Sequence, residues 1–278
     1  MPFHIGENCR IDPTAVINVK EGFIGDGAVI REGAHIEGTR VEIGREAFID
    51  RSATIGGGSC FDPDAFLVAG DWFHMGVNSQ INIARGVTVG DELGCGIETK
   101  IFTHGAYIDS YNLGAPVEWA PVQIGHSVWL PNAWVNPGVS IGSNVVVAAR
   151  SLVNRSLPAG CLAAGIPARP MRENAFPKRL NAEEKLKLVS TVVEQAWRRF
   201  VASFAGAERP EFHMEKDDLV ARVGSELTRF ELERKNISGS AGDWALLLKD
   251  QLRRNGIRFR YQARDGIWVA WKNSRSEI

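Results

Sequence analysis

Apolar side chains recur at every sixth position through most of the first 170 residues: Ile5, Ile11 and Ile17, then Ile24, Ile30 and Ile36, then Ile43, Ile49, Ile55, Phe61, Leu67 and Phe73. The beat resumes at Ile83, Val89, Cys95 and Ile101, and again from Ile124 to Val147 and Val153. A turn-forming pair follows many of these positions, as in Gly25-Asp26, Gly44-Arg45, Gly90-Asp91, Gly125-His126 and Gly142-Ser143. One apolar residue per short fixed repeat predicts a coil of short strands. Each turn stacks its apolar residue on the turn before, because no single repeat can bury its own apolar face. One-residue slips between Ile17 and Ile24 and between Ile36 and Ile43 predict small bulges at coil corners.

The beat fails at length once, between Ile101 and Val122, in a stretch rich in aromatic residues, Gly and Pro. A segment that leaves a regular scaffold and returns to it is where function tends to sit. The coil closes near Gly165-Ile166-Pro167-Ala168-Arg169-Pro170, and the pattern then changes. Asn181 is placed to cap a helix with Glu184 as its reciprocal partner. Leu186, Val189, Val193, Ala196, Trp197, Phe200, Val201 and Phe204 follow at helical spacing. Residues 243–255 predict a second helix stopped by Gly256. Ile257, Phe259 and Tyr261, then an Asp265-Gly266 turn, then Ile267, Val269 and Trp271 predict a hairpin. The expected architecture is mainly β: a coil over residues 1–172 and a small α+β appendage over 173–278, whose role the sequence does not assign.

Charge changes this picture little. The 278 residues carry a net charge of −1, with 12 basic against 18 acidic residues in 1–175 and 20 against 15 in 176–278. A mildly basic tail suits an anionic ligand or a solvated surface of mixed sign, and nothing in the balance points to nucleic acid. Cys9, Cys60, Cys95 and Cys161 form no CxxC pair and read as free thiols in a reducing compartment. The beginning, MPFHIGENCR, has no basic stretch followed by an apolar one, and no apolar run reaches membrane-spanning length. A soluble, cytoplasmic protein without a transmembrane segment is expected.

From Val122 to Arg172 the residues support a resemblance. Val122-Gln123-Ile124-Gly125-His126-Ser127-Val128-Trp129-Leu130, Asn136-Pro137-Gly138-Val139-Ser140-Ile141-Gly142 and Ala163-Ala164-Gly165-Ile166-Pro167-Ala168-Arg169 resemble the hexapeptide-repeat acyltransferases, nearest to the maltose, galactoside and polysaccharide O-acetyltransferases. Upstream, Ile97-Glu98-Thr99-Lys100-Ile101-Phe102-Thr103-His104 is similar to the segment that carries the catalytic histidine in the colanic-acid and O-antigen members. The resemblance implies a left-handed parallel β-helix, a homotrimer with sites between subunits, and acyl transfer from coenzyme A, usually acetyl-CoA, to a hydroxyl or amine of a sugar. It implies no metal.

His104 is then the expected general base. A hydroxyl attacking a thioester must lose its proton, and imidazole titrates in the right range to take it and to protonate the leaving thiolate. Direct attack needs no acyl-enzyme. Asp109 and Glu118 are the carboxylates suited to orient the imidazole, or are solvated loop residues. Asn78 and Asn82 are candidate acceptor contacts, or corner residues in turn conformation. For the donor, the family's Gly-Ala-Gly-Ser run appears as Ala148-Ala149-Arg150-Ser151. Arg150 either reaches a phosphate or crowds the pantetheine arm. Arg169 and Arg172 are candidates for the nucleotide phosphates, and Trp129 for the groove wall. Leu130 and Ile141 lie eleven residues apart, one short of two repeats, which places a deletion around residues 131–134.

Two other readings stay open. One is a non-catalytic trimeric scaffold with a binding tail. The other is a metalloenzyme like the γ-type carbonic anhydrases, using His74, His104 and His126, although the short His-to-His spacing of that class is absent.

Overall fold

The computed structural model describes residues 2–204 and 209–270; Trp271 of the expected hairpin lies outside the described residues. The chain divides into two compact units, Met1–Lys178 and Arg179–Ile278.

The first unit is a coil of parallel strands, most of them two to four residues long. Three columns of side chains fill it. In one, Ile24 pairs with Ile43, then Ala69, Val89, Ile124 and Ile141. In the next, Ile30 pairs with Ile49, Met75, Cys95 and Leu130. In the third, Ile36 pairs with Ile55, Ile81, Ile101, Val135 and Val153. All of these are buried. Each full-sized aliphatic side chain contributes about 1.5–3 kcal/mol on burial, so the stack is stable as a sum of neighbours.

The sequence beat is displaced by two residues in the middle of the coil. Phe61, expected in a column, is 39% exposed and lies in an excursion spanning residues 56–64. The columns then run through Ala69, Met75 and Ile81 rather than Leu67, Phe73 and Ile83. Leu67, Phe73 and Ile83 are nonetheless fully buried, because strand side chains alternate and positions two apart share a face. The slips near residues 17–24 and 36–43 fall inside continuous strands, Val16–Ile24 and His35–Ile43, with Gly22 and Gly38 at φ 117° and 149°. The missing residue at 131–134 is present as a five-residue step from Leu130 to Val135.

Two corners of the coil are regular. At the first, Glu46, Trp72, Glu92, Ser127 and Asn144 adopt left-handed conformation, φ 54° to 63°. Their N–H groups donate to carbonyls of the previous turn, at Asp26, Arg45, Asp71, Asp91 and His126. Side chains close the same corner: Asp71 Oδ1 accepts from the Arg45 N–H at 2.9 Å, Asp91 Oδ1 from Asp71 at 2.8 Å, and His126 Nδ1 from Asp91 at 3.0 Å. A left-handed residue with a Cβ costs about 1–2 kcal/mol, which the interlocked bonds offset. The second corner repeats the device with Ser52, Asn78, Glu98, Asn132 and Arg150. The third corner takes all the irregularity: residues 56–64, residues 82–86 and the long excursion after His104, which carries the short helix α1 (Ser110–Leu113).

The second unit has two helices and an antiparallel sheet. Helix α2 (Ala182–Ser203) starts at the expected capping box of Asn181 and Glu184, and buries Val189, Val192, Val193, Ala196 and Phe200. Helix α3 (Asp243–Arg254) buries Trp244, Ala245, Leu248 and Leu252. They share a core with a six-stranded sheet ordered Glu211–Glu215, Asp218–Val223, Glu226–Glu231, Asn236–Ser240, Ile267–Ala270, Tyr261–Arg264. The hairpin turns at Asp265-Gly266 as expected, with both residues at positive φ. Its first half faces the core as expected, with Phe259 buried and Ile257 and Tyr261 packed beside it, but the second strand is reversed: Trp268 is buried, while Ile267 and Val269 are exposed.

Candidate active site

The third corner brings His104 and Asn82 together. Asn82 lies one turn before His104, because Ile81 pairs with Ile101. Its side chain is buried, 3% exposed. Its amide orientation follows from its partners: the Ala84 N–H donates to Oδ1 at 3.2 Å and Nδ2 donates to the Gly58 carbonyl at 3.4 Å. Thr103 adds a third constraint. Its hydroxyl accepts from the Arg85 N–H at 3.0 Å, so its own proton goes to Asn82, whose Oδ1 is 2.8 Å away.

His104 Nδ1 lies 2.9 Å from the same Asn82 Oδ1. An amide oxygen only accepts, so Nδ1 carries a proton, and in the neutral ring Nε2 then presents the lone pair. That is the tautomer a base at Nε2 requires. The partly buried imidazole also stacks on Trp119, with ring centroids 4.8 Å apart and planes at 20°. Trp119 stands opposite His104 in a two-stranded antiparallel pair, His104–Gly105 with Glu118–Trp119. The Arg85 guanidinium lies over the same indole at 4.6 Å, with Nη1 donating to the Ala84 carbonyl at 2.6 Å and standing 3.6 Å from Asp62 Oδ2.

The other expected acceptor-side residues lie elsewhere or do other things. Asp109 is placed as the N-cap of α1: Oδ1 accepts from the Tyr111 and Asn112 N–H groups at 2.9 Å, and Asn112 also binds Oδ2. The Asn112 side chain and backbone bonds hold its carboxyl below the usual range. Glu118 is exposed and pairs across from Gly105 rather than His104. Asn78 is an exposed residue of the second corner at φ 56°, with its N–H on Arg51 and its carbonyl accepting from Lys100 Nζ at 2.9 Å. Its conformation is that of a turn, and the side chain hydrogen-bonded to His104 is that of Asn82. Trp119, Arg85, Asp62 and Thr103 were not expected. Their sequence traces are Thr103, inside the family-like segment 97–104, and Trp119, an aromatic residue three positions before Val122.

The donor-side residues occupy later turns. Trp129 is exposed, and its ring covers Gly94 of the previous turn so closely that a Cβ there would come within 2.4 Å of it. Ala148 and Ala149 are small, and Arg150 is an exposed corner residue at φ 59°. In that position its side chain leaves the coil at the second corner, as Ser52, Glu98 and Asn132 do. Ser151 is buried, its Oγ accepting from the Gly165 N–H at 3.1 Å. Arg169 donates to the Ala168 carbonyl at 2.8 Å, and Arg172 is exposed on the strand Ala168–Arg172. Two small residues and three basic side chains near the end of the coil fit an anionic, elongated donor.

Among the described residues, no three His, Cys, Asp or Glu side chains form a group able to hold a metal ion. His74 stacks on Phe48, and His126 is bonded into the first corner.

Galactoside O-acetyltransferase of Escherichia coli (strain K12) is 30% identical over 139 residues, covering 46% of this chain and 68% of that protein. The chain belongs to the hexapeptide-repeat acetyltransferases. Its coil is the left-handed parallel β-helix of that family. A second relative of this acetyltransferase, a putative lipopolysaccharide biosynthesis O-acetyl transferase of the same organism, is 36% identical over 126 residues, 40% of this chain. The chain spans 60% of that protein's length. Among solved structures, a hexapeptide-repeat acetyltransferase from Vibrio cholerae complexed with acetyl coenzyme A is 25% identical. The match covers 57% of this chain and 72% of that one, with a TM-score of 0.39. No family model matches the chain. No described helix is long and apolar enough to cross a membrane.

Proposed function

We propose that this acetyltransferase moves an acetyl group from acetyl-CoA to a hydroxyl or amine of a sugar, with His104 as general base and no acyl-enzyme. The observation that supports it is the His104 Nδ1–Asn82 Oδ1 bond of 2.9 Å, which in the neutral ring puts the proton on Nδ1 and the lone pair on Nε2. Bound acetyl-CoA supplies an acetyl thioester. Nε2 takes the proton of the acceptor hydroxyl as that oxygen bonds to the carbonyl carbon. It returns the proton to sulfur as the carbon–sulfur bond breaks, so the histidine ends as it began. Asn82 holds the ring in one tautomer throughout. Trp129, the Ala148–Ser151 run, Arg169 and Arg172 serve the donor, and the excursion over residues 105–121 shapes the acceptor side. The working unit is a homotrimer.

Acceptors in surface-polysaccharide synthesis, nucleotide-linked sugars among them, fit the names of the relatives, galactoside and lipopolysaccharide acetyl transfer. The test is thiol release from acetyl-CoA against a panel of neutral, amino and acidic sugars, with His104→Ala beside the wild type. Donor binding retained in the variant with turnover lost supports the reading. Equal turnover by both proteins removes His104 from the chemistry.

A further inference from the structure

The bond to Asn82 fixes one atom of the His104 ring, and a single hydrogen bond leaves the imidazole free to swing about it. The structure supplies a second constraint. Trp119 lies directly across the antiparallel pair from His104, where facing side chains meet, and its indole covers the imidazole at 4.8 Å and 20°. The indole is itself held: Arg85 lies over it at 4.6 Å, tied to the Ala84 carbonyl and near Asp62. The Arg85 N–H donates to the Thr103 hydroxyl, and that hydroxyl donates to Asn82 Oδ1. The plane of the imidazole and its Nδ1 bond therefore depend on one connected set of residues.

We propose that Trp119 is a positioning residue for His104, and that it also supports the charge the imidazole acquires in the transition state. This rests on the reading of His104 as the base. When Nε2 takes the acceptor's proton the ring becomes a cation, and the electron-rich indole face attracts a cation more than a neutral ring. Among the described residues, no carboxylate is bonded to His104: Asn82 is neutral, Asp109 is bound to its own helix, Glu118 stands across from Gly105, and Asp62 approaches Arg85. Asn82 takes the in-plane position at Nδ1, and the indole covers the face of the ring on which the charge develops. Trp119 also closes the long excursion, since the segment that leaves the coil at His104 returns at Trp119. A change of the excursion's shape reaches the base through this pair.

The test has a kinetic arm and a spectroscopic arm, both on the full chain. Trp119→Ala is expected to lower kcat roughly tenfold or more, the scale of a small misplacement at a reacting centre, with the KM for acetyl-CoA held within about twofold. Trp119→Phe, which keeps a stacking face, is expected to restore kcat to within about threefold of wild type. Equal kcat in all three proteins, or a loss that appears in KM alone, overturns the proposal. So does a Phe variant as slow as the Ala variant. The spectroscopic arm needs no acceptor. An imidazolium stacked on an indole quenches its fluorescence, so a pH-dependent emission component is expected in wild type and should be missing from both Trp119→Phe and His104→Gln. Its presence in either variant overturns the stack. If His104→Ala turns over normally, the catalytic reading fails; if that variant is inactive while Trp119→Ala is fully active, only the positioning role fails.

Discussion

The first and third corners of the coil are built from the same repeat and behave in opposite ways. At the first, turn after turn presents a residue in left-handed conformation with its N–H bonded to the turn before, and at most turns a side chain closes the gap. At the third, successive turns differ in length, and the spare residues become Asn82, Arg85, His104 and the excursion closed by Trp119. Regularity supplies stability and irregularity supplies chemistry, and the coil keeps the two at separate corners. Substitutions at one should therefore leave the property of the other untouched, except at Asn82, whose side chain also holds buried donors of the third corner.

The largest expected effect is His104→Ala, which should lower kcat about 10²–10⁴-fold while the melting temperature stays at the wild-type value. A parallel fall in melting temperature would mean that the third corner is also structural. Next is Gly44→Ala at the first corner. A Cβ there would stand 2.5 Å from the Gly70 carbonyl carbon, backbone against backbone, and should cost about 3 kcal/mol or more, read as a lowered unfolding midpoint. The same substitution at Gly105, where a Cβ meets nothing within 4 Å, should leave the midpoint unchanged.

Asn82→Ala tests where the two properties meet. It strips the acceptor from the Ala84 N–H and from Thr103, so it should lower both kcat and stability, the latter by about 1–3 kcal/mol. A loss of kcat with no thermal effect would show that those donors find water instead.

The smallest effect belongs to the second unit, where neither corner matters. Burial pushes the Asp250 carboxyl up, but bonds from Arg254, Arg253 and Arg199 outweigh it and hold the carboxyl at about 2, below its ordinary 3.8. A lowered carboxyl stabilises the fold above its unfolded value and loses that contribution as pH falls through about 2. Thermal unfolding followed down that range should show this loss in wild type and a flatter profile in Asp250→Asn. Acetyl transfer near neutral pH should not change.

Most of the coil was legible in the sequence because its core consists of single apolar residues at fixed spacing, which no other arrangement buries. The displacement after Ile55 was not. Phe61, Leu67 and Phe73 continue the beat by coincidence of type, and only the pairing of Ile43 with Ala69 reveals the shift. His104 is legible through its resemblance to a family segment, whereas Asn82 reads there as a candidate acceptor contact and not as its bonding partner, and Trp119 is not singled out. Asn82 reaches it across a turn of the coil and Trp119 across the excursion, at separations that no local pattern encodes. Asp109 was attractive as a nearby carboxylate, yet the Asp109–Ser110–Tyr111–Asn112 run is a self-contained cap. In the second unit the capping box of α2 was readable, whereas the four-strand meander from Glu211 to Ser240 depends on tertiary pairing of weakly alternating, charged strands.

The excursion after His104 also has an entropic side. Val89 pairs with Ile124, 35 residues on, where Ile24 pairs with Ile43 only 19 on. Closing a loop of nearly twice the length costs only about 0.5 kcal/mol more, because closure entropy grows with the logarithm of length. A coil whose rungs re-register after any detour can therefore lengthen, shorten or exchange that segment over evolutionary time at almost no thermodynamic risk. The corner to which we assign the chemistry is also the one where the chain is freest to change.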